Sequence, residues 1–277
     1  IRKISLHVSN VTSASQLRMT SQECWKRVSF RWMSDSFVII VPARSGSTRL
    51  PNKPLAIING RSVISRVIDL ANSSNASNLY IATDSNEIMD HCQSYDANVV
   101  MTSSDHISGM DRIAEAARIL DLPLEIPILN LQGDEPFMPV QIINQLPMML
   151  SIDTPISTAS IQFSNAMDLS SPHEVKVVRS ISKKAMYFSR AVIPNSFTGE
   201  YKNYLKHLGI YAYTNETLQT LSKLKPTENE ESEKLEQLRF LDNGFNIFVE
   251  DFVCEAPIGI DTPEDLKAAN IFAKQND

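Results

Sequence analysis

The stretch "FVIIVPARSGSTRLPNKPL", Phe37 to Leu55, decides how this chain is read. It opens on a run of Phe, Val and Ile, the composition of a short strand buried on both faces. Behind it comes a loop with three fixed cations, Arg44, Arg49 and Lys53, stiffened by Pro51 and Pro54. A chain that leaves a buried strand into so basic a loop can meet an anion there, because phosphate oxygens are held by guanidinium and ammonium groups and by main-chain N–H. A merely solvated basic loop is the plainer reading. Neither GxGxxG nor GxxxxGK[ST] occurs in the stretch, so it is neither a dinucleotide fingerprint nor a Walker loop.

Outward from this loop, apolar runs alternate with helical patterns. "NLYIAT" (78–83), "ANVVM" (97–101) and "IPILNL" (126–131) read as further strands. Between them "SVISRVIDLANS" puts Val63, Val67 and Leu70 on one helical face, and "SGMDRIAEAARIL" does the same with Ile113, Ala117 and Leu120. "SNEIMDHC" is a shorter helix candidate. Strand, helix, strand at this spacing predicts right-handed βαβ units, a parallel sheet with helices on both faces and a ligand crevice beyond the carboxyl ends of its strands.

The second half is less regular. Strands are expected at 156–163, 174–178 and 204–214, then one charged helix over 229–244, a strand in "FNIFVEDF" and a closing helix after Pro263. The polar piece 190–203 reads as a loop over one side of the site. We expect a nucleotide-type half over 36–150 and a second half over 151–277 within one domain.

Composition limits what such a fold could do. The 277 residues are 43% apolar and 21% charged, with a formal net charge of −6, the profile of a soluble globular chain. Residues 1–36 carry six Lys and Arg against Glu23 and Asp35, so the remainder is at −10. An acidic body argues against a nucleic-acid partner. Cys24, Cys92 and Cys254 are scattered, which favours neither a zinc site nor a disulfide framework and fits a reducing cytoplasm. No apolar run is long enough to span a bilayer. Residues 1–35 are basic and rich in Ser and Thr, like a targeting peptide or a disordered extension, with the working chain starting near Met33.

Two further stretches put carboxylates near the crevice. In "LNLQGDEP", Asp134 follows Gly133 where the fourth strand ends. In "IGIDTPEDL", Thr262, Pro263 and Asp265 make a good helix start and leave Asp261 unused. Hard oxygen ligands near a phosphate loop suit Mg²⁺, although a GDEP turn is often only a turn.

The blocks "IIVPARSGSTRLPNKPL", "ATDS", "TSSDHISGMDRIAEA", "NLQGDEPFMP", "KAMYFSRAVIP", "HLGIYAY", "LEQLRFLDNG" and "GIDTPEDL" resemble, in this order, the 3-deoxy-manno-octulosonate cytidylyltransferases, the CMP-Kdo synthetases of lipopolysaccharide biosynthesis. The resemblance implies a Rossmann-like nucleotidyltransferase fold with a mostly parallel sheet and a smaller sugar-binding and dimerisation part. It implies transfer of CMP from CTP to Kdo with release of pyrophosphate, in a cytoplasmic homodimer whose interface includes "YLKHLGIYAY". By position it gives Arg44, Arg49 and Lys53 to the triphosphate, and Ser108, Gly109 and Arg112 to the cytidine. Asp134 and Asp261 fall to Mg²⁺, and Arg44, Lys53 and both aspartates to catalysis. Gln132, Arg190, His207, Tyr211 and Glu236 fall to the sugar acid.

Those sugar residues read more blandly without the resemblance. His207 could be a satisfied core histidine, Glu236 a solvated helix face, and Ser108 the cap of the helix behind it. Asn52 stands where the family has glycine, and tolerates a left-handed backbone. Met110 stands where threonine is common, removing a hydroxyl near the cytidine. Two other readings stay open: the same chemistry on an 8-amino Kdo or another nonulosonate, and a non-catalytic nucleotide-binding protein of this fold.

Overall fold

The computed structural model describes residues 36–277, apart from 45, 47, 48, 107, 165, 200 and 201 and the side chain of 166. The leader expected over 1–35 lies outside the described residues.

The described residues build eleven strands: β1 Val38–Ala43, β2 Ile57–Ile58, β3 Arg61–Ser62, β4 Asn78–Thr83, β5 Asn98–Met101, β6 Pro127–Asn130, β7 Ile156–Gln162, β8 Lys176–Arg179, β9 Ala185–Ser189, β10 Leu205–Thr214 and β11 Ile247–Asp251. β2 and β3 form a small hairpin, and the others share one sheet in the order β11-β7-β10-β6-β1-β4-β5, with β8 and β9 attached at the start of β10. β4, β1 and β6 run parallel, as do β4 with β5 and β7 with β11. β10 is the antiparallel member, paired with β6 on one side and β7 on the other.

β1 explains the layering. Its two-residue period sends Ile39 and Val41 into one apolar cluster and Val38 and Ile40 into another. The first cluster is closed by helices Val63–Asn72, Asn86–Gln93 and Val140–Gln145, the second by Gly109–Ile119, Asn215–Leu221 and Gln237–Asp242. The sheet therefore has helices on both faces, as the alternating pattern predicts. From β1 the chain steps to β4 on one side and returns through β6 on the other, so the crevice opens where the carboxyl ends of β1 and β6 part.

β10 is hydrogen-bonded to β6 on one side and to β7 on the other. One expectation is corrected. The single charged helix over 229–244 is two short ones, Glu228–Glu233 and Gln237–Asp242. Thr227 and Glu230 form a capping box at the first, and its acidic first turn suits a helix N-terminus, but Lys234 turns left-handed at φ 55° and ends it. The loop 190–203 contains no described helix or strand, and only Arg190 of it lines a cavity described below.

Candidate active site

Two residues set the approach of the described segments behind β1 and β6. Asn52 adopts φ 52° and ψ 33°, the left-handed conformation that asparagine tolerates, and launches a 3₁₀ turn over Lys53–Leu55. Gly133, after β6, lies so close to β1 that an added Cβ would stand 2.8 Å from the Pro42 carbonyl. Glycine here lets the "QGDE" turn lie against the start of the cationic loop.

These segments enclose a cavity of about 490 Å³. Arg44, Arg49 and Lys53 line one side of it, Gln132 and Asp134 another, and Asp261 closes it from the far end of the sequence. Ser108 and Gly109 bring the amino end of the eleven-residue helix Gly109–Ile119 to the wall. That end presents free N–H groups and a positive dipole to an anion. Ser108 fulfils the capping role, its Oγ accepting from the Asp111 N–H at 3.2 Å, while facing the cavity. A Cβ on Gly109 would meet Pro42 Cγ at 3.3 Å.

The strongest electrostatic feature is the grip on Lys53. Its Nζ donates to Asp134 Oδ2 and, at 2.9 Å, to Asp261 Oδ1, while Arg49 Nη2 meets Asp261 Oδ2 at 3.1 Å. Burial pulls the Lys53 pKa down, but the two carboxylates outweigh it and leave it above its ordinary value. Burial raises Asp261, and the bonds from Lys53 and Arg49 reverse that and leave it low. The Asp261 side chain takes no part in the helix start, where Thr262 and Asp265 form the capping box.

Arg112 is buried in the cavity floor, donating to Thr102 Oγ1 at 2.6 Å and Asp84 Oδ2 at 2.8 Å. Two of its five N–H donors are thereby engaged by the protein. Met110 does not line this cavity: its side chain is buried in the core.

A second, larger cavity of about 930 Å³ adjoins the first, and Arg49 and Asp261 line both. Arg190, His207 and Tyr211 stand together in its wall. His207 is buried, its Nε2 3.0 Å from Thr158 Oγ1 and its ring edge-on to Phe188. Burial pulls its pKa down to about 3, so it is a neutral imidazole.

Arg190 is not the free fork the sequence suggests. Nε donates to Glu233 O at 2.7 Å, Nη1 to Pro172 O at 2.9 Å and Nη2 to Lys234 O at 3.3 Å. The left-handed turn at Lys234 is what leaves two of those carbonyls available. Three of its five N–H groups are engaged, and two remain. Its own carbonyl accepts from Lys176 Nζ at 2.8 Å, and that fully buried lysine also holds the carbonyls of Ser171 and Glu174.

Gln132 and Glu236 are not among the residues lining this larger cavity. Gln132 faces the first cavity and donates to Asn130 Oδ1 at 2.9 Å. Glu236 is no solvated face; it turns inward behind Tyr211, and its neighbour Gln237 stands on the larger cavity's wall. The bend at Lys234 reorients both, which periodicity could not foretell.

Sequence reading missed three groups. His106 lines the first cavity and is held by Glu115 Oε2 at 2.5 Å. Lys206, in the larger cavity, pairs with Glu174 Oε2 at 2.5 Å. Glu135 lies beside Asp134 with its Oε2 buried and unpartnered among the described residues. Burial, with the charges of Asp134 and Asp261 added, pushes Glu135 up to about 8, which makes it a neutral acid at pH 7. A Cβ at Gly259 would approach Glu135 Oε1 to 2.9 Å, so that glycine makes room for the carboxyl. "GDEP" and "DHISG" were the available signals for Glu135 and His106.

Residues 38–274 match the family model described as Cytidylyltransferase. A 3-deoxy-manno-octulosonate cytidylyltransferase of Polynucleobacter necessarius is 43% identical over 236 residues, covering 83% of this chain and 93% of its own. One from Xanthomonas campestris pv. campestris is 42% identical over 247 residues, covering 85% and 88%. Among solved structures, a CMP:2-keto-3-deoxy-manno-octonic acid synthetase complexed with CTP superposes with a TM-score of 0.81 at 35% identity, covering 87% of this chain and 99% of that one. A cytidylyltransferase of Leptospira borgpetersenii, at 16% identity and a TM-score of 0.56, shares the fold.

Proposed function

We infer that this chain, which belongs to the cytidylyltransferase family, transfers CMP from CTP to 3-deoxy-D-manno-octulosonate. The α-phosphorus forms a bond to the sugar's anomeric oxygen, the bond to the β-phosphate oxygen breaks, the hydroxyl proton is lost and pyrophosphate leaves. The observation that carries this reading is the pair of adjoining cavities that share Arg49 and Asp261. A nucleotide in the cationic one and a polyol acid in the other would meet at that junction.

Such a reaction asks the protein for positioning and charge neutralisation. Arg44, Arg49 and Lys53 would bear the phosphates, with the amino end of helix Gly109–Ile119 facing the nucleotide. His207, Tyr211 and the two remaining N–H groups of Arg190 would meet the sugar acid. Gln132 would act from the nucleotide side.

A divalent cation fits the site. Asp134 and Asp261 already converge on one cation, the Lys53 ammonium, and two carboxylates completed by phosphate oxygens and water are a donor set Mg²⁺ accepts. When bound there it would neutralise phosphate charge and acidify a hydroxyl. Lys53, displaced from between the carboxylates, would then be free to turn to the phosphates.

We place the protein in the cytoplasm as a homodimer. No described helix is long and apolar enough to cross a membrane, and Cys92 and Cys254 are free thiols. The test of function is pyrophosphate release from CTP, Kdo and Mg²⁺, with each left out in turn. Release without the sugar, or none with all three, would overturn the reading. A panel that included the 8-amino analogue would fix the sugar.

A further inference from the structure

Behind Tyr211 lies a small cavity of about 30 Å³. Five buried side-chain polar atoms lack a hydrogen-bond partner among the described residues, and three of them belong to residues lining this one space: Tyr211 Oη, Tyr213 Oη and Glu236 Oε1. Thr158 and Asn130 stand beside the two phenols, but neither completes a hydrogen bond with them. Met110 and Phe240 supply apolar wall.

The arrangement is built rather than accidental. Tyr211 and Tyr213 are two residues apart on β10 and so project from the same face of the sheet. Glu236 arrives from the bend after Lys234, at the start of the helix Gln237–Asp242. A buried hydroxyl or carboxyl without a partner is costly, and three converging on one void are mutually unfavourable unless something joins them. Room for one probe sphere and two to four polar neighbours are what an internal water needs. This cavity offers both.

We propose that the cavity holds one resident water molecule, hydrogen-bonded by Tyr211 Oη, Tyr213 Oη and Glu236 Oε1, and that Tyr213 acts through it as a positioning residue for the sugar pocket. Each phenol donates its proton to the water oxygen, and the water donates to Glu236, so one molecule satisfies all three atoms. The orientation of the Tyr211 ring, which forms the wall between the two spaces, is thereby fixed from behind. Tyr213 itself does not line the sugar cavity. The water site stands on this geometry alone, whereas its bearing on substrate rests on the sugar-pocket reading above.

Tyr213→Phe tests both parts, because it removes one hydroxyl and leaves the ring. If the hydroxyl holds water, the substitution loses a satisfied bond, and Tm should fall by about 2–4 °C. In a dry cavity it would remove an unpaired polar atom, and Tm would hold or rise; that result overturns the water. A crystal structure at high resolution should show a water peak within hydrogen-bonding distance of all three oxygens, and an empty cavity overturns it equally. In kinetics, KM for the sugar acid should rise several-fold while CTP affinity by calorimetry stays unchanged. Unchanged sugar KM overturns the positioning role. Failure of the wild-type chain to release pyrophosphate would instead count against the sugar reading, leaving density and Tm to judge the water.

Discussion

Replacing Arg190 by lysine separates two jobs that the structure assigns to one side chain. The guanidinium bridges three main-chain carbonyls, of Glu233, Pro172 and Lys234, at 2.7, 2.9 and 3.3 Å. An ammonium is a point donor and can keep one of these, so two are lost. At about 0.5–1.5 kcal/mol net for each bond, the expected cost is about 1–3 kcal/mol. A chain of this size loses about 2–4 °C of Tm per kcal/mol, so melting should fall by about 2–12 °C. Arg190→Lys also removes the N–H pair left for a carboxylate, and the sugar-acid kcat/KM should fall roughly ten- to a hundred-fold. The assays are thermal unfolding, steady-state kinetics with each substrate varied, and calorimetric CTP binding, which should not change. An unaltered Tm would refute the bridging role. Equal damage to both substrates at unaltered Tm would move Arg190 to the phosphates.

Asp134→Asn should cost activity by orders of magnitude in Mg²⁺ and lower Tm only slightly, since Lys53 keeps Asp261 as a partner; retained turnover would remove Asp134 from the site. Gly259→Ala should displace the Glu135 carboxyl and cost about 1–3 kcal/mol in chemical denaturation, while Gly209→Ala, where a Cβ would meet nothing within 4 Å, should leave stability almost unaltered. His207 has a folded pKa of about 3, below its unfolded value near 6.5, so the unfolded chain binds the extra proton between those values. Stability is therefore full above pH ~6.5 and falls on acidification, by up to about 1.4 kcal/mol per pH unit from this group; His207→Phe should flatten that part of the urea-midpoint curve against pH.

The sequence by itself determined the sheet's parallel half. Runs such as "FVII" and "NLYIAT" are legible because strands buried on both faces need uninterrupted apolar residues, and the intervening helices show their period. The cationic loop was legible too, since charge and proline are properties of residues and not of their neighbours. So was Asp261, because the capping box at Thr262 and Asp265 left it unused. Tertiary structure alone decided what meets what. Lys53 meets Asp261 across 208 positions of sequence, a closure no local pattern encodes. The left-handed turn at Lys234 splits a helix that periodicity would continue, frees carbonyls for Arg190, and turns Glu236 inward. β10 reads as an ordinary strand and becomes a central one because β6 and β7 both claim its edges. Residue chemistry is written along the chain, whereas the commitments of each donor and acceptor are settled only when distant segments pack.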